Sequence, residues 1–358
     1  MRKRIDILNL PITNINYAAK KATKERWDSV AKPLDGMGDF EDLFAQIGGI
    51  RGTADFTFEK RAVIVMCADN GIVEEHVSQT GQEVTAIVAE NMGKGITSVC
   101  RMAEVAGRMY PTKVIPVDIG VNCTREIPGV LQRKVAYGTK NFLRTPAMTE
   151  EETLRAIEIG MELVRQCKEE GYEILATGEM GIGNTTTSSA MAAALLQCSA
   201  KDVTGKGAGL SKQGIDHKTQ VIKTALNKYD LYQADAFSIL QTVGGLDIAG
   251  LVGVFLGGAV YGIPVIIDGV ISGVAALTAE CLVPGAKDFA VASHKGKEPA
   301  LSKILAVLGK KPLLDANLAL GEGTGAVMLF PLFDMAMALY QERTTFADIA
   351  VEQYERFT

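Results

Sequence analysis

The sequence predicts an α/β fold in which helices cover a parallel sheet, with helical segments at both ends. Three observations carry this. Short β-branched runs alternate with longer helical patterns through the middle of the 358-residue chain. These runs are apolar at successive positions, so both faces of each strand are buried, which is the mark of a parallel sheet packed between helices. The composition is 47% apolar and only 6% aromatic, and its 37 glycines follow no collagen-like period, which suits an enzyme core rather than a fibrous or disordered chain.

In chain order, the first sixty residues read as helices interrupted by the polar turn Lys32-Pro33-Leu34-Asp35-Gly36-Met37-Gly38. Strands are expected at 62–66, 114–118, 172–176 and 264–268. Helices are expected near 82–106, 150–170, 184–198, 212–228, 245–261 and 300–309, each with Gly or Pro punctuation nearby. The last thirty residues are helical again, from Gly325 through Met328, Leu332, Met335 and Leu339 at helical spacing. The expected organisation is a small helical domain from residues 1–60 plus 326–358 and an α/β domain over 61–325. Residues Ile248 to Ile267 carry no charge and are long enough to span a bilayer. Five glycines, Pro264, the flanking Asp247 and Asp268, and a change from helix-like to strand-like texture favour a buried helix running into a core strand.

Charge and cysteine usage exclude several functions. With 37 basic against 42 acidic residues the net charge is −5, and the longest basic cluster is Arg2-Lys3-Arg4, so no nucleic-acid partner is expected. The start of the chain has no apolar stretch of signal-peptide length, and a cytoplasmic protein without membrane contact is expected. The cysteines at 67, 100, 123, 167, 198 and 281 include no C-x-x-C pair, and His76, His217 and His294 are scattered. Reduced structural thiols and unliganded histidines follow, with no metal site.

In open parallel sheets ligands collect at the carboxyl ends of the strands, so the segments that follow them matter most. Gly178-Glu179-Met180-Gly181-Ile182-Gly183-Asn184-Thr185-Thr186 places glycines, an Asn and hydroxyls between a strand and a helix. Glycine lets backbone approach an anion, and helix-start amides attract one. The spacing G-x-x-G-x-G is neither a dinucleotide fingerprint nor a Walker loop, and a plain strand-to-helix turn fits it equally well. Gly205 to Lys218 is a glycine-rich loop opening a helix with three lysines, any of which could neutralise a phosphate or simply be solvated. Leu320-Gly321-Glu322-Gly323-Thr324-Gly325 sets one carboxylate among glycines before an apolar helix. Glu322 there suits either a proton acceptor or a helix-start acid facing a macrodipole.

Together with Ala68-Asp69-Asn70-Gly71-Ile72-Val73-Glu74-Glu75, Gln82-Glu83-Val84-Thr85, Gly244-Gly245-Leu246-Asp247-Ile248-Ala249, Asp268-Gly269-Val270-Ile271-Ser272, and Ala292-Ser293-His294 with Glu298-Pro299, these segments resemble the nicotinate-nucleotide:dimethylbenzimidazole phosphoribosyltransferase family. They run in the family's order from about residue 30 to 340. The resemblance implies a Rossmann-like sheet, a small helical domain built from both termini, and a homodimer. It also implies transfer of the ribosyl phosphate of nicotinate mononucleotide to a lower-ligand base for cobamide synthesis, giving α-ribazole phosphate and nicotinate without a cofactor. Glu322 falls on the family's general base. The phosphate loop falls on Glu179, Gly181, Ile182, Gly183, Asn184 and Thr185, with Lys218, Asp268 and Gly269 completing the nucleotide site. Ser78 and Gln82 fall where the incoming base is held. Two positions depart from the family pattern: Asn70 stands where His is common, and Thr80-Gly81 where Tyr-Pro is common. The resemblance also extends to relatives that use purines or phenols, some paired as unlike subunits, and to a non-catalytic partner subunit, against which the retained Glu322 speaks. A nicotinamide-dependent dehydrogenase would need G-x-G-x-x-G after the first strand, which is lacking.

Overall fold

The computed structural model describes residues 3–207 and 209–356; Ala208, within the glycine-rich loop, lies outside the described residues. The chain opens with three helices, α1 (Arg4–Leu8), α2 (Tyr17–Asp28) and α3 (Asp39–Arg51). The Asn16 side chain caps α2 by accepting from the Ala19 amide, and Gly52 ends α3 in the left-handed region. The polar turn after α2 lies between these helices, as the sequence predicts.

Strand β1 (Arg61–Ala68) follows, buried at every position. A short 3-10 turn, Gly71–Glu75, leads to α4 (Glu83–Gly93) and α5 (Ser98–Ala106), then to β2 (Thr112–Gly120) and the two-residue β3 (Leu131–Gln132). The single helix expected near 82–106 is therefore two, because Gly95 at φ 74° breaks the first and Thr97, in extended conformation, starts the second. Next come α6 (Glu150–Glu169), with a Thr149–Glu152 capping box, β4 (Ile174–Met180), α7 (Asn184–Leu195), α8 (Lys212–Lys228), α9 (Ala236–Val243) and α10 (Leu246–Tyr261). Strand β5 (Val265–Ile267), α11 (Val270–Leu282), β6 (Ala290–Ala292), β7 (His294–Gly296), α12 (Pro299–Leu308), β8 (Leu314–Leu318), α13 (Thr324–Val327) and α14 (Leu329–Gln341) complete the chain.

The main sheet has six strands in the order β3-β2-β1-β4-β5-β6, and every pairing in it is parallel. A separate parallel pair, β7 and β8, lies beside it and is not foreseen by the sequence pattern. The uncharged stretch is a buried helix followed by a core strand, α10 and β5, and no helix among the described residues is long and apolar enough to cross a membrane.

Two further expectations need correction. Thr177 to Met180, expected as loop, extend β4, because their register against Ile64 to Cys67 of β1 supplies a complete buried ladder that outweighs the turn-like Thr-Gly-Glu chemistry. At the far end, the chain stops being α-helical at Gln341, and Met328, Met335 and Leu339 of the expected apolar stripe are exposed. The buried face of α14 is Leu329, Phe330, Phe333, Ala336, Met337 and Tyr340. Apolar residues occur all round this helix, so spacing alone does not select the inward face.

Phe333 and Tyr340 pack against Phe44 of α3, and Tyr340 against Trp27 of α2, so the two chain ends share one aromatic cluster. At the start of β1, Arg61 is fully buried and forms a two-pronged ion pair with Asp334 of α14, at 2.6 and 2.9 Å. Its remaining donors reach the Ala106 carbonyl, at 2.7 Å, and the Thr112 hydroxyl, at 3.0 Å.

Candidate active site

Strands β1, β4 and β5 deliver their carboxyl ends to one edge of the sheet, and a cavity of about 270 Å³ opens there. Its floor is the turn from β4 into α7. Gly183, at φ 96°, lets the chain reverse directly into the helix, so Gly183, Asn184 and Thr185 face the cavity from the positive end of α7. The segment is a tight strand-to-helix turn, and the helix start that follows it borders the cavity.

Two acids adjoin this floor, Glu179 on the cavity lining and Asp247 behind it. The Asn184 side-chain amide donates to Glu179 of β4 and, at 3.1 Å, to Asp247 of α10. Burial pushes the Glu179 carboxyl up to about 8, reinforced by the charge of Asp247. Burial likewise pushes Asp247 up, to about 6. One amide thus bridges two acids that resist ionising together.

Asp268, at the end of β5, organises the opposite wall. It accepts from the Gly323 amide at 3.2 Å and the Ala326 amide at 3.0 Å, fixing the turn that carries Glu322. His294 adjoins Asp268, and burial drives each towards its neutral form, Asp268 up and His294 down. The turn itself is unusual: Gly321, Glu322 and Gly323 lie consecutively in the left-handed region at φ 84°, 61° and 93°. Gly178 of β4 passes directly beneath, where a methyl group would lie 2.4 Å from the Glu322 carbonyl oxygen. The Glu322 side chain lines the cavity, and its Oε2 accepts from the Val99 amide, at 3.1 Å, at the start of α5. Glu322 is therefore a helix-start acid, as one reading holds, but for α5 rather than for the helix that follows it.

Of the residues predicted for the site, Glu179, Gly181, Ile182, Gly183, Asn184, Thr185, Asp268, Gly269, Ser78 and Glu322 border this single cavity. Lys218 does not: it is fully buried one layer back, its Nζ donating to Thr185 Oγ1 at 2.8 Å, and burial pushes it down to about 8. Gln82 also lies off the wall, donating to the Asn70 carbonyl at 3.1 Å and accepting from Asn122 at 3.2 Å. Asn70 itself is buried with its Oδ1 unpartnered and its amide directed at the Ile182 carbonyl, 3.4 Å away.

Sequence reasoning gives no role to three further residues. His294 and Glu298 line the cavity, and Glu298 accepts from the Gly207 amide at 3.1 Å, holding the glycine-rich loop over it. Asp247 lies beneath the floor. Each stands in a segment that resembles the family, but an isolated His or Asp carries no spacing signal of its own. Among the described residues no group of three or more His, Cys, Asp or Glu side chains is arranged to hold a metal ion.

Comparison with known proteins agrees with this architecture. A family model described as phosphoribosyltransferase matches residues 12–351. The nicotinate-nucleotide–dimethylbenzimidazole phosphoribosyltransferase of Ruminiclostridium cellulolyticum is 41% identical over 344 residues, covering 96% of this chain and 97% of the relative. The protein of that name from Acetivibrio thermocellus is 42% identical over 332 residues, covering 93% of each. The crystal structure of CobT from Thermus thermophilus superposes with a TM-score of 0.87 at 35% identity, covering 94% of this chain and all of that one. The shared fold, together with identity over nearly the whole length, places this chain in the nicotinate-nucleotide–dimethylbenzimidazole phosphoribosyltransferase family.

Proposed function

We propose that this chain moves the ribosyl phosphate of nicotinate mononucleotide onto dimethylbenzimidazole or a similar lower-ligand base, releasing nicotinate and supplying α-ribazole phosphate for cobamide synthesis. The observation that carries this reading is one cavity bordered on one side by the positive end of α7 and on the other by a carboxylate on a rigid turn.

In this reading the phosphate sits against Gly181 to Thr185, with Lys218 supporting Thr185 from behind. Anchoring the phosphate turns binding energy remote from the reacting carbon into alignment of the ribose. The bond between the anomeric carbon and the nicotinate nitrogen breaks with its electron pair passing into the pyridinium ring, which neutralises it, so no acid is needed for the leaving group. The acceptor nitrogen forms the new bond to the anomeric carbon from the opposite face, and the acceptor's N–H proton passes to Glu322. Ser78 lies on the wall where that base would enter, with Gln82 behind it shaping the loop.

Changing Glu322 to Gln keeps the shape and removes the proton acceptor. Turnover should fall by about 10²–10⁴ with little change in nucleotide binding. The measurement is nicotinate release from nicotinate mononucleotide and dimethylbenzimidazole, alongside calorimetry with the nucleotide alone. A variant that turns over normally removes Glu322 from this role. Running the same assay with purines and phenols in place of the benzimidazole defines the acceptor range.

The reading extends to the whole chain. Residues 1–60 and 326–358 act as the small helical domain, supported by the aromatic cluster that joins α2, α3 and α14. Pairing with a second copy or a paralogue is supported by the exposed apolar Met328, Met335 and Leu339 on the outer side of the last helices. A reducing, cytoplasmic setting is supported by six unbridged cysteines.

A further inference from the structure

One of the two carboxylate oxygens of Glu322 has a fixed partner. Oε2 accepts from the Val99 amide, while the side chain as a whole borders the cavity. Val99 is the second residue of α5, and amides at that position have no partner within their own helix. Without this bond a buried donor would be left unsatisfied and the carboxylate would be free to rotate about its side-chain torsions. With it, Oε2 is tied down while the residue borders the cavity.

The surrounding structure keeps α5 in place for this task. At its carboxyl end the Ala106 carbonyl accepts from Arg61, which is itself fully buried, and its flank packs on α13, the helix that starts two residues after Glu322. The backbone of Glu322 is fixed independently through Asp268 and the Gly321–Gly323 turn. Main chain and side-chain tip are thus held by two different elements.

We propose that the first turn of α5, through the Val99 backbone amide, is a positioning element for the reaction: it orients the Glu322 carboxylate so that one oxygen faces the acceptor. The proposal rests on the assignment of Glu322 as proton acceptor. Val99 touches no substrate and acts through Glu322.

The test separates the amide from the side chain. Val99→Pro removes the N–H at a place where helices tolerate proline, whereas Val99→Ala keeps the N–H and reports the cost of emptying the same buried space. The expected result is that kcat of Val99→Pro falls about tenfold or more below that of Val99→Ala, while KM for nicotinate mononucleotide differs by no more than about twofold between them. Equal kcat values for the two variants overturn the proposal. Should Val99→Pro not fold, residue-resolved amide hydrogen exchange on the otherwise unaltered protein decides instead. Glu322→Ala should speed exchange at Val99 by about tenfold or more while leaving the Gly107 amide at the far end of α5 unchanged. Unchanged exchange at Val99 overturns the proposal. If Glu322→Gln retains full turnover, the functional assignment fails on its own, whatever the Val99 amide does.

Discussion

A single side chain, Glu179, shows how burial sets chemistry at this site. Its carboxyl keeps a proton up to about pH 8 in the folded chain, whereas an ordinary glutamate releases it near 4.5. Between those values the folded state binds more protons than the unfolded one, so stability falls as pH rises through the window and falls no further above it. Glu179→Gln carries no titrating group at this position, and it should gain on the parent across that window by on the order of a few kcal/mol. Urea midpoints for both proteins at about pH 5 and pH 8 check this; parallel pH profiles would refute it. At this scale the sequence is partly readable. Glycine-flanked Glu322 and the loop from Glu179 to Thr185 stand out because their neighbours are unusual. Lys218 and Gln82 are expected in the site, yet they support it from behind, since sequence spacing does not distinguish a wall residue from one a layer deeper. His294 and Asp247 give no signal because each depends on partners brought from distant strands.

Among elements, the strands are the most legible, since runs buried on both faces admit few other readings. Their lengths are less so: β4 continues into polar residues because β1 completes its ladder, and pairing is a tertiary property. The buried face of α14 differs from the expected stripe, of which Leu332 alone packs against the core in this helix, as an all-round apolar helix leaves the choice to its aromatic neighbours. The crossing of β4 beneath the Glu322 turn gives a sharp expectation. In Gly178→Ala the new methyl would meet the Glu322 carbonyl oxygen at 2.4 Å and the Gly323 nitrogen at 2.9 Å, both backbone atoms. The turn must shift, with a stability loss of about 1–3 kcal/mol. Turnover should drop more than stability alone explains, because the displaced residue is the proposed proton acceptor. Thermal unfolding compared with nicotinate release checks the pair; a variant with a lower midpoint but undiminished turnover would show that the turn tolerates displacement.

Over the whole molecule, the parallel sheet and the helical termini follow from strand–helix alternation, from strands apolar on both faces and from the helical patterns at both ends. The extra β7 and β8 pair does not, being three and five residues long, with no apolar side chain in β7 and polar Asp315 and Asn317 interrupting β8. The pair formed by Arg61 and Asp334 ties the first strand to the last helix, 273 positions further along the chain. Asp334→Ala would strand a fully buried guanidinium, and a loss of about 3–5 kcal/mol is expected, read as a lower urea midpoint at unchanged slope.

Because the same guanidinium also grips the tail of α5, whose head holds Glu322, an injury at the amino-terminal rim of the sheet need not stay there. Loosening that grip would let a nine-residue lever pivot, and its other tip would present the proposed proton acceptor out of aim. On that proposal, lesions well removed from the cavity blunt catalysis before they unfold the protein.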